Sequence, residues 1–339
     1  MKIPALVFLL AVCPLGGAAV RVLQTRVLQT NAAGDNVHVI DPATNKVVGT
    51  IEDIEVPHGV TISPDGARIY ITDEARSTLD VVDAKSLKVT KRIPLSGHPN
   101  NVDVSKDGRQ VYVAIVQAPG AVDVIDTSSL TNVKTIPLKG GIHNVYVTPD
   151  GKFAVAGSIP GKLINVIDTA TNAVVWTLPM EAGIRPMAFT RNTDGSTKEI
   201  IVQLSDYHGF AVVDFVARKE TKRVALPDVP GQEKETQGIQ GSPSHGLAIT
   251  PNGKILWATS KYYDYVAAYS LPDFQLLKVV PVGLHPEWLT IPPDGKSLYV
   301  AVAGKDTTVA VDIRSMKVVA SIPVGFVPKR ITSGVLKTE

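Results

Sequence analysis

Seven positions recur at a near-constant interval along the chain, and each holds a side chain able to bind or ionise: His58, Asn100, His143, Arg185, His245, Glu287 and Lys329. Their spacings are 42, 43, 42, 60, 42 and 42 residues. Three imidazoles, a guanidinium, an ammonium and a carboxylate brought together would favour a small polar or anionic ligand, and the imidazoles add charge below roughly pH 6.5. Mixed charges at close quarters also perturb one another's pKa values, as functional sites do. A single polar side chain on a wet surface needs no function to explain it. The chemical variety across seven equivalent places is what points to a site.

A second group of candidates lies in two loops. SDYHGF carries Tyr207 and His208, SKYYDY carries Tyr262 and Tyr263, and Trp288 follows Glu287. An amphipathic aromatic wall beside convergent polar groups suits a small-molecule site. The alternative is that these rings pack against a neighbouring insertion. That insertion, residues 227–244, is rich in Gly, Pro, Gln and charge and accounts for most of the one long spacing. Loops of this length are functional or disordered, so it is either a lid over the site or an inert insertion.

The elements that must position these residues repeat with them. Stretches ending in Asp recur at Asp41, Asp83, Asp126, Asp168, Asp214 and Asp312, most of them 42 or 43 residues apart. PDG, KDG or PNG turns recur in step at 64–66, 106–108, 149–151, 251–253 and 293–295. Between them apolar residues alternate at the strand period, and no segment after the first twenty residues has helical periodicity. Four short antiparallel strands in a period near 42 form one blade of a β-propeller. The Asp column is turn chemistry, because Asp side chains bond the backbone two residues on. Neither it nor the Asp-Gly pairs match a calcium loop.

Six full units begin near Pro57, Pro99, Ile142, Ile184, Ser244 and Pro286. FVPKRITSGVLKTE supplies only a first strand, and RVLQTNAAGDNVHVIDPATNKVVGTI supplies strands two to four. Together they complete a seventh blade and close the ring, which removes exposed edges. The expected fold is therefore all-β, a single seven-bladed propeller over residues 20–339. One copy of the doubled RVLQTRVLQT at 21–30 suffices for a strand; the other extends or frays it. In such a ring the first strand of each blade lines the central channel. The recurring polar position lies at its start, so the seven side chains should converge on one channel mouth.

KSLYVAVAGKDTTVAVDIRSMKVVASIPVG and ARIYITDEARSTLDVVDAKSLKVTKRIPL resemble YVTN-type β-propeller repeats. The resemblance covers nearly all of the chain after the first twenty residues. It implies a seven-bladed ring, often exported in bacteria. It leaves the activity open, since related propellers include lactonases, haem-binding domains, quinoprotein subunits and binding proteins.

The formal charge of +2 over 339 residues gives no clustered basic excess, so nucleic acid is not the main partner. MKIPALVFLLAVCPLGGAAV has one Lys, an apolar run and small residues before residue 20, which reads as a signal peptide over 1–19 and export to the periplasm or outside. It is too short for a transmembrane anchor. Cys13 is the only cysteine, so a cleaved chain has no thiol chemistry. A lipid anchor at Cys13 is disfavoured by Val12 before it. No phosphate loop, HExxH or GxSxG is present. His58, His143 and His245 come from alternate blades, too far apart to expect a shared metal.

The leading expectation is an exported binding or scaffold protein whose small polar ligand, or protein partner, sits at the mouth. A lactonase would use Glu287 or a His as general base, with Arg185 holding the anion. A redox propeller would use His208 or His245 toward haem, without covalent attachment because CxxCH is absent.

Overall fold

The computed structural model describes residues 23–239 and 241–338. The expected signal segment, Cys13 and the start of the doubled RVLQT lie outside the described residues. Among the described residues every regular element but one 3-10 turn is a strand, and the 28 strands form seven four-stranded sheets. Six sheets take their strands consecutively, all antiparallel. Among the described residues no helix is long and apolar enough to cross a membrane. We number the blades so that blade 1 carries His58 and blade 7 carries Lys329.

Blade 7 is built from both ends of the chain. Pro328–Lys337 pairs with Leu23–Asn31, which pairs in turn with Asn36–Asp41 and Lys46–Ile51. The second RVLQT copy occupies the core of the strand. The described residues of the first copy continue it, with Leu23 opposite Lys337 and Thr25 opposite Val335. The duplication thus extends the closing pair.

The period-2 pattern holds for the outer strands but not the middle ones. In Gln110–Ile115 five consecutive residues are buried, and Ile164–Ile167 is buried throughout. Middle strands are covered by a neighbouring blade on both faces, so both faces are apolar. Val, Ile and Ala fill seven hydrophobic clusters of this kind. The outermost strand of blade 3, Ala173–Pro179, has only two half-buried residues and no buried ones.

The turns behave as their chemistry requires. Asp83 accepts the Ser86 N–H at 2.8 Å, Asp168 that of Thr171 at 2.8 Å and Asp312 that of Ser315 at 2.7 Å. RNTDGSTKE forms the lengthened first hairpin of blade 4, with eight-residue strands on both sides.

The start of blade 5 departs from the expected pattern. Its first strand is only Leu247–Ile249, three residues short of Ser244. The Thr259 hydroxyl accepts the His245 N–H at 3.0 Å, and Lys261 N–H donates to the Pro243 carbonyl at 2.8 Å. Side-chain bonding replaces the ladder at this point. The same device recurs: Thr72 accepts the Gly59 N–H at 2.7 Å, and Thr30 accepts the Arg330 N–H at 3.0 Å. The ladder is irregular here in all six other first strands as well. This irregularity lets two consecutive side chains, rather than alternate ones, turn toward the axis.

Candidate functional site

The recurring column does converge. His58 and His143 rings stand 6.4 Å apart between centroids, and His143 and His245 stand 6.3 Å apart. These rings come from blades 1, 3 and 5. Gly59 and Gly246 allow this closeness: a Cβ would lie 2.7 Å from the Asn100 carbonyl at Gly59 and 2.4 Å from the Glu287 carbonyl at Gly246.

The mouth is drier than an open channel. His58, Asn100, Arg185, His245 and Glu287 are all buried, while His143 and Lys329 are partly exposed. The expectation of a wet lining is therefore corrected. The reason is an axial plug from the residue that follows the column. Trp288 packs 4.1 Å from His245 and 6.4 Å from His58. The Arg330 guanidinium lies 3.8 Å over the Trp288 ring. Arg330 reaches from blade 7 across the axis to bond Asn100 of blade 2 and, at 3.2 Å, Asn144 Oδ1 of blade 3.

Hydrogen-bond partners settle where the imidazole protons sit. His58 Nδ1 bonds Glu74, and His245 Nδ1 bonds Glu287. A carboxylate only accepts, so both Nδ1 atoms carry the proton. Asn100 Nδ2 also stands 3.4 Å from His58 Nδ1, the longer of that atom's two contacts. Burial pulls His58 down to about 4 and His245 to about 3, against the opposing pull of Glu74 and Glu287. Both rings are thus neutral near pH 7, and each Nε2 presents a lone pair. Neither Nε2 has a partner among the described residues.

His143 is the reverse. Asn144 Oδ1 is claimed by Arg330, so its amide nitrogen faces His143 Nδ1 at 2.9 Å. The His143 proton therefore sits on Nε2. Burial, then Arg330 and the other two imidazoles, holds His143 well below its usual range. The mouth offers an acceptor, a donor and an acceptor from its three histidines.

Glu287 is the electrostatic hub. It meets Lys261 at 2.9 Å and Lys329 at 3.4 Å besides His245. Burial works to raise it, but His245, Lys329 and Lys261 outweigh that and hold it ionised well below the usual range. Arg185 donates to Ser205 at 2.9 Å and to the Gly241 carbonyl at 3.3 Å, and burial lowers its pKa from a high starting value. Four cations, Arg185, Lys261, Lys329 and Arg330, face three carboxylates, Glu74, Asp206 and Glu287, around the mouth. The balance is positive.

In the loop sector most of the rings take the packed alternative. His208 bonds Ser260 at 2.7 Å and lies 5.0 Å from the Tyr262 ring and 5.7 Å from Tyr263. Tyr262 sits under Lys234, and Tyr265 donates to the Pro227 carbonyl at 2.6 Å. Tyr207 lies under Arg223, away from the ring. His208, Tyr262 and Tyr263 thus pack among themselves and against the insertion, Tyr207 packs on the core between blades 3 and 4, and Trp288 belongs to the axis. The insertion reaches the mouth through Gly238, whose carbonyl accepts from Lys261 at 3.4 Å, and through Gly241.

Sequence reasoning missed Lys261, Glu74 and Arg330 as site members. Two signals mark them. Glu74, Ser205 and Lys261 hold the position just after strand two where other blades have Val116, Ile159 and Ala303. Each touches a ring member. Asn101, Asn144, Trp288 and Arg330 hold the position just after the column. No group of three or more His, Cys, Asp or Glu that could hold a metal is found among the described residues.

No family model and no curated protein matches this chain. Solved structures do. It is similar to the periplasmic gluconolactonase PpgL of Pseudomonas aeruginosa, with TM-score 0.74 and 19% identity over 94% of this chain and 100% of that one. It is similar to Kuenenia stuttgartiensis hydrazine synthase, with TM-score 0.73 and 23% identity over 84% and 91%. It is also similar to the dihydro-heme d1 dehydrogenase NirN in complex with DHE, with TM-score 0.65 and 14% identity over 88% and 63%. At these identities the likeness defines a class, the seven-bladed propellers, and no activity within it.

Proposed function

We propose that this is an exported propeller that binds a small hydroxylated carboxylate, or its cyclic ester, at the channel mouth. The observation that carries the reading is the pair of buried, unpartnered Nε2 lone pairs on His58 and His245. A ligand that fills the mouth must bring donors to these two atoms and an acceptor to His143 Nε2. Hydroxyl groups do both. The surplus of cations, with Lys329 the most exposed of them, suits a carboxylate or an ester carbonyl. The similarity to periplasmic propellers and the apolar N-terminal segment support export.

Isothermal titration with gluconate, glycerate and gluconolactone tests this. His245→Ala and Arg185→Ala each remove a polar partner and should weaken binding by roughly tenfold or more. Unchanged affinity in both variants, or no binding by any of the three, overturns it.

Lactone hydrolysis is the second reading, favoured by the geometry of one dyad. Glu287 orients His245 with its lone pair toward the mouth, as a general base for water requires. Glu287 itself is tied to two lysines and is not the base. A base whose pKa lies near 3 is weak at neutral pH, which places binding ahead of turnover. Lactone opening that is lost in His245→Asn would reverse that order. Haem is favoured less. His208 Nε2 is engaged by Ser260, and the His245 ring is packed against Trp288 at 4.1 Å.

A further inference from the structure

Beneath the Trp288–Arg330 plug lies an axial chamber of about 190 Å³, to which all seven blades contribute. Its lining is layered by strand position. Trp288, Arg330 and Asn101 form the layer next to the plug. Val60, Val102, Met187, Leu247, Leu289 and Ile331 make an apolar belt one residue further. Thr61, Asp103, Tyr146, Thr290 and Thr332 follow beyond it. About 190 Å³ leaves room for several waters. A belt of six aliphatic side chains is a poor home for them, since buried waters need two to four polar partners each.

The two polar layers are unequal. Arg330 is 3% exposed and has no carboxylate within 4 Å among the described residues. Two of its nitrogens bond neutral amides, and its Nε–H meets no acceptor. Glu74 and Glu287 act on it only from beyond ion-pair distance, so a carboxylate in direct contact would meet the open Nε–H and recover part of the cost of burying the charge. Asp103 stands two residues further along its strand, about 6–7 Å by strand rise. It is held by the Val104 N–H at 2.9 Å and the Val147 N–H at 2.8 Å, with acceptor capacity to spare.

We propose that this chamber is a second binding site, separate from the mouth, for a short organic carboxylate with a hydroxyl or ammonium group at its far end. The carboxylate pairs with Arg330, the aliphatic body fills the belt, and the distal donor reaches Asp103 and the threonine hydroxyls. Neither partner of the mouth ligand, His58 Nε2 nor His245 Nε2, is needed.

Met187 lines the chamber, and the described chain has only two other methionines, Met180 and Met316. Carbon-13 methyl-methionine spectra of the full chain, titrated with butyrate, 4-hydroxybutyrate and 4-aminobutyrate, therefore read the site directly. The Met187 resonance should shift saturably while Met180 and Met316 stay in place. The two bifunctional acids should bind tighter than butyrate. Leu289→Phe narrows the belt and should abolish the shift without unfolding the ring, and Arg330→Gln should weaken binding roughly tenfold or more. His245→Ala, which disables the mouth, should leave the Met187 response intact. No Met187 shift with any of the three acids overturns the proposal. So does a shift that survives Leu289→Phe, or one that disappears with His245→Ala.

Discussion

Two polar columns run round this ring, and they differ in one respect. The Asp column on the outer turns is chemically uniform, and its members spend their oxygens locally. Asp126 alone accepts from both the N–H and the hydroxyl of Ser128 and Ser129. The column at the channel mouth is chemically mixed, and it leaves lone pairs on His58 and His245 with nothing to bind. Repetition therefore says only that a position is structurally equivalent from blade to blade. Whether its atoms are satisfied separates scaffold from site.

The strongest way to break that comparison is Glu287→Gln. It leaves Lys261, Lys329 and His245 around a neutral amide. Losing one partner of a buried ion cluster costs about 3–5 kcal/mol, or about 4–8 °C in Tm for a chain this long. Calorimetry that finds a loss no larger than for a turn Asp would make the two columns equivalent.

Acid titration comes next. His58 drops from its ordinary 6.5 to about 4 on folding. Between those values the unfolded chain takes up a proton that the folded chain refuses, so stability is complete above pH 6.5 and falls as pH approaches 4. This one group contributes up to about 3 kcal/mol. His245 has the same sign, and Asp103, raised by burial, opposes both. Thermal melts should show Tm falling through this window, with a shallower slope in His58→Gln. A flat profile would return the histidines to the scaffold class.

Asp83→Ala should have the smallest effect. It removes an exposed turn cap shared with Ser86, for about 1 kcal/mol or less, and should leave titration at the mouth unaltered. A changed ligand affinity would mean the outer column is coupled to the axis.

The architecture was open to reading because each blade repeats its own evidence. The turn triplets, the strand-ending Asp and the split seventh blade all fell where periodicity placed them. The mouth column was legible for the same reason. What periodicity hid was the local break in it. A strand that alternates in and out should send Trp288 and Arg330 away from the axis. At Arg330 the Thr30 hydroxyl of strand two replaces a ladder bond and turns the side chain inward, and at Trp288 the pairing skips from Pro286 to Leu289. Lys261 and Glu74 were hidden differently, in loops that vary from blade to blade. The loop tyrosines were legible as a cluster, and for Tyr262 and Tyr263 the partner turned out to be the insertion.

The strand that closes the ring also carries Lys329 and Arg330 on adjacent positions. That strand pairs with Leu23–Asn31, which lies far away in the sequence. A nascent or clipped chain short of that segment lacks, at one stroke, its circular closure, the axial plug and part of the charge around Glu287. Closing the ring and assembling the pocket are thus a single event.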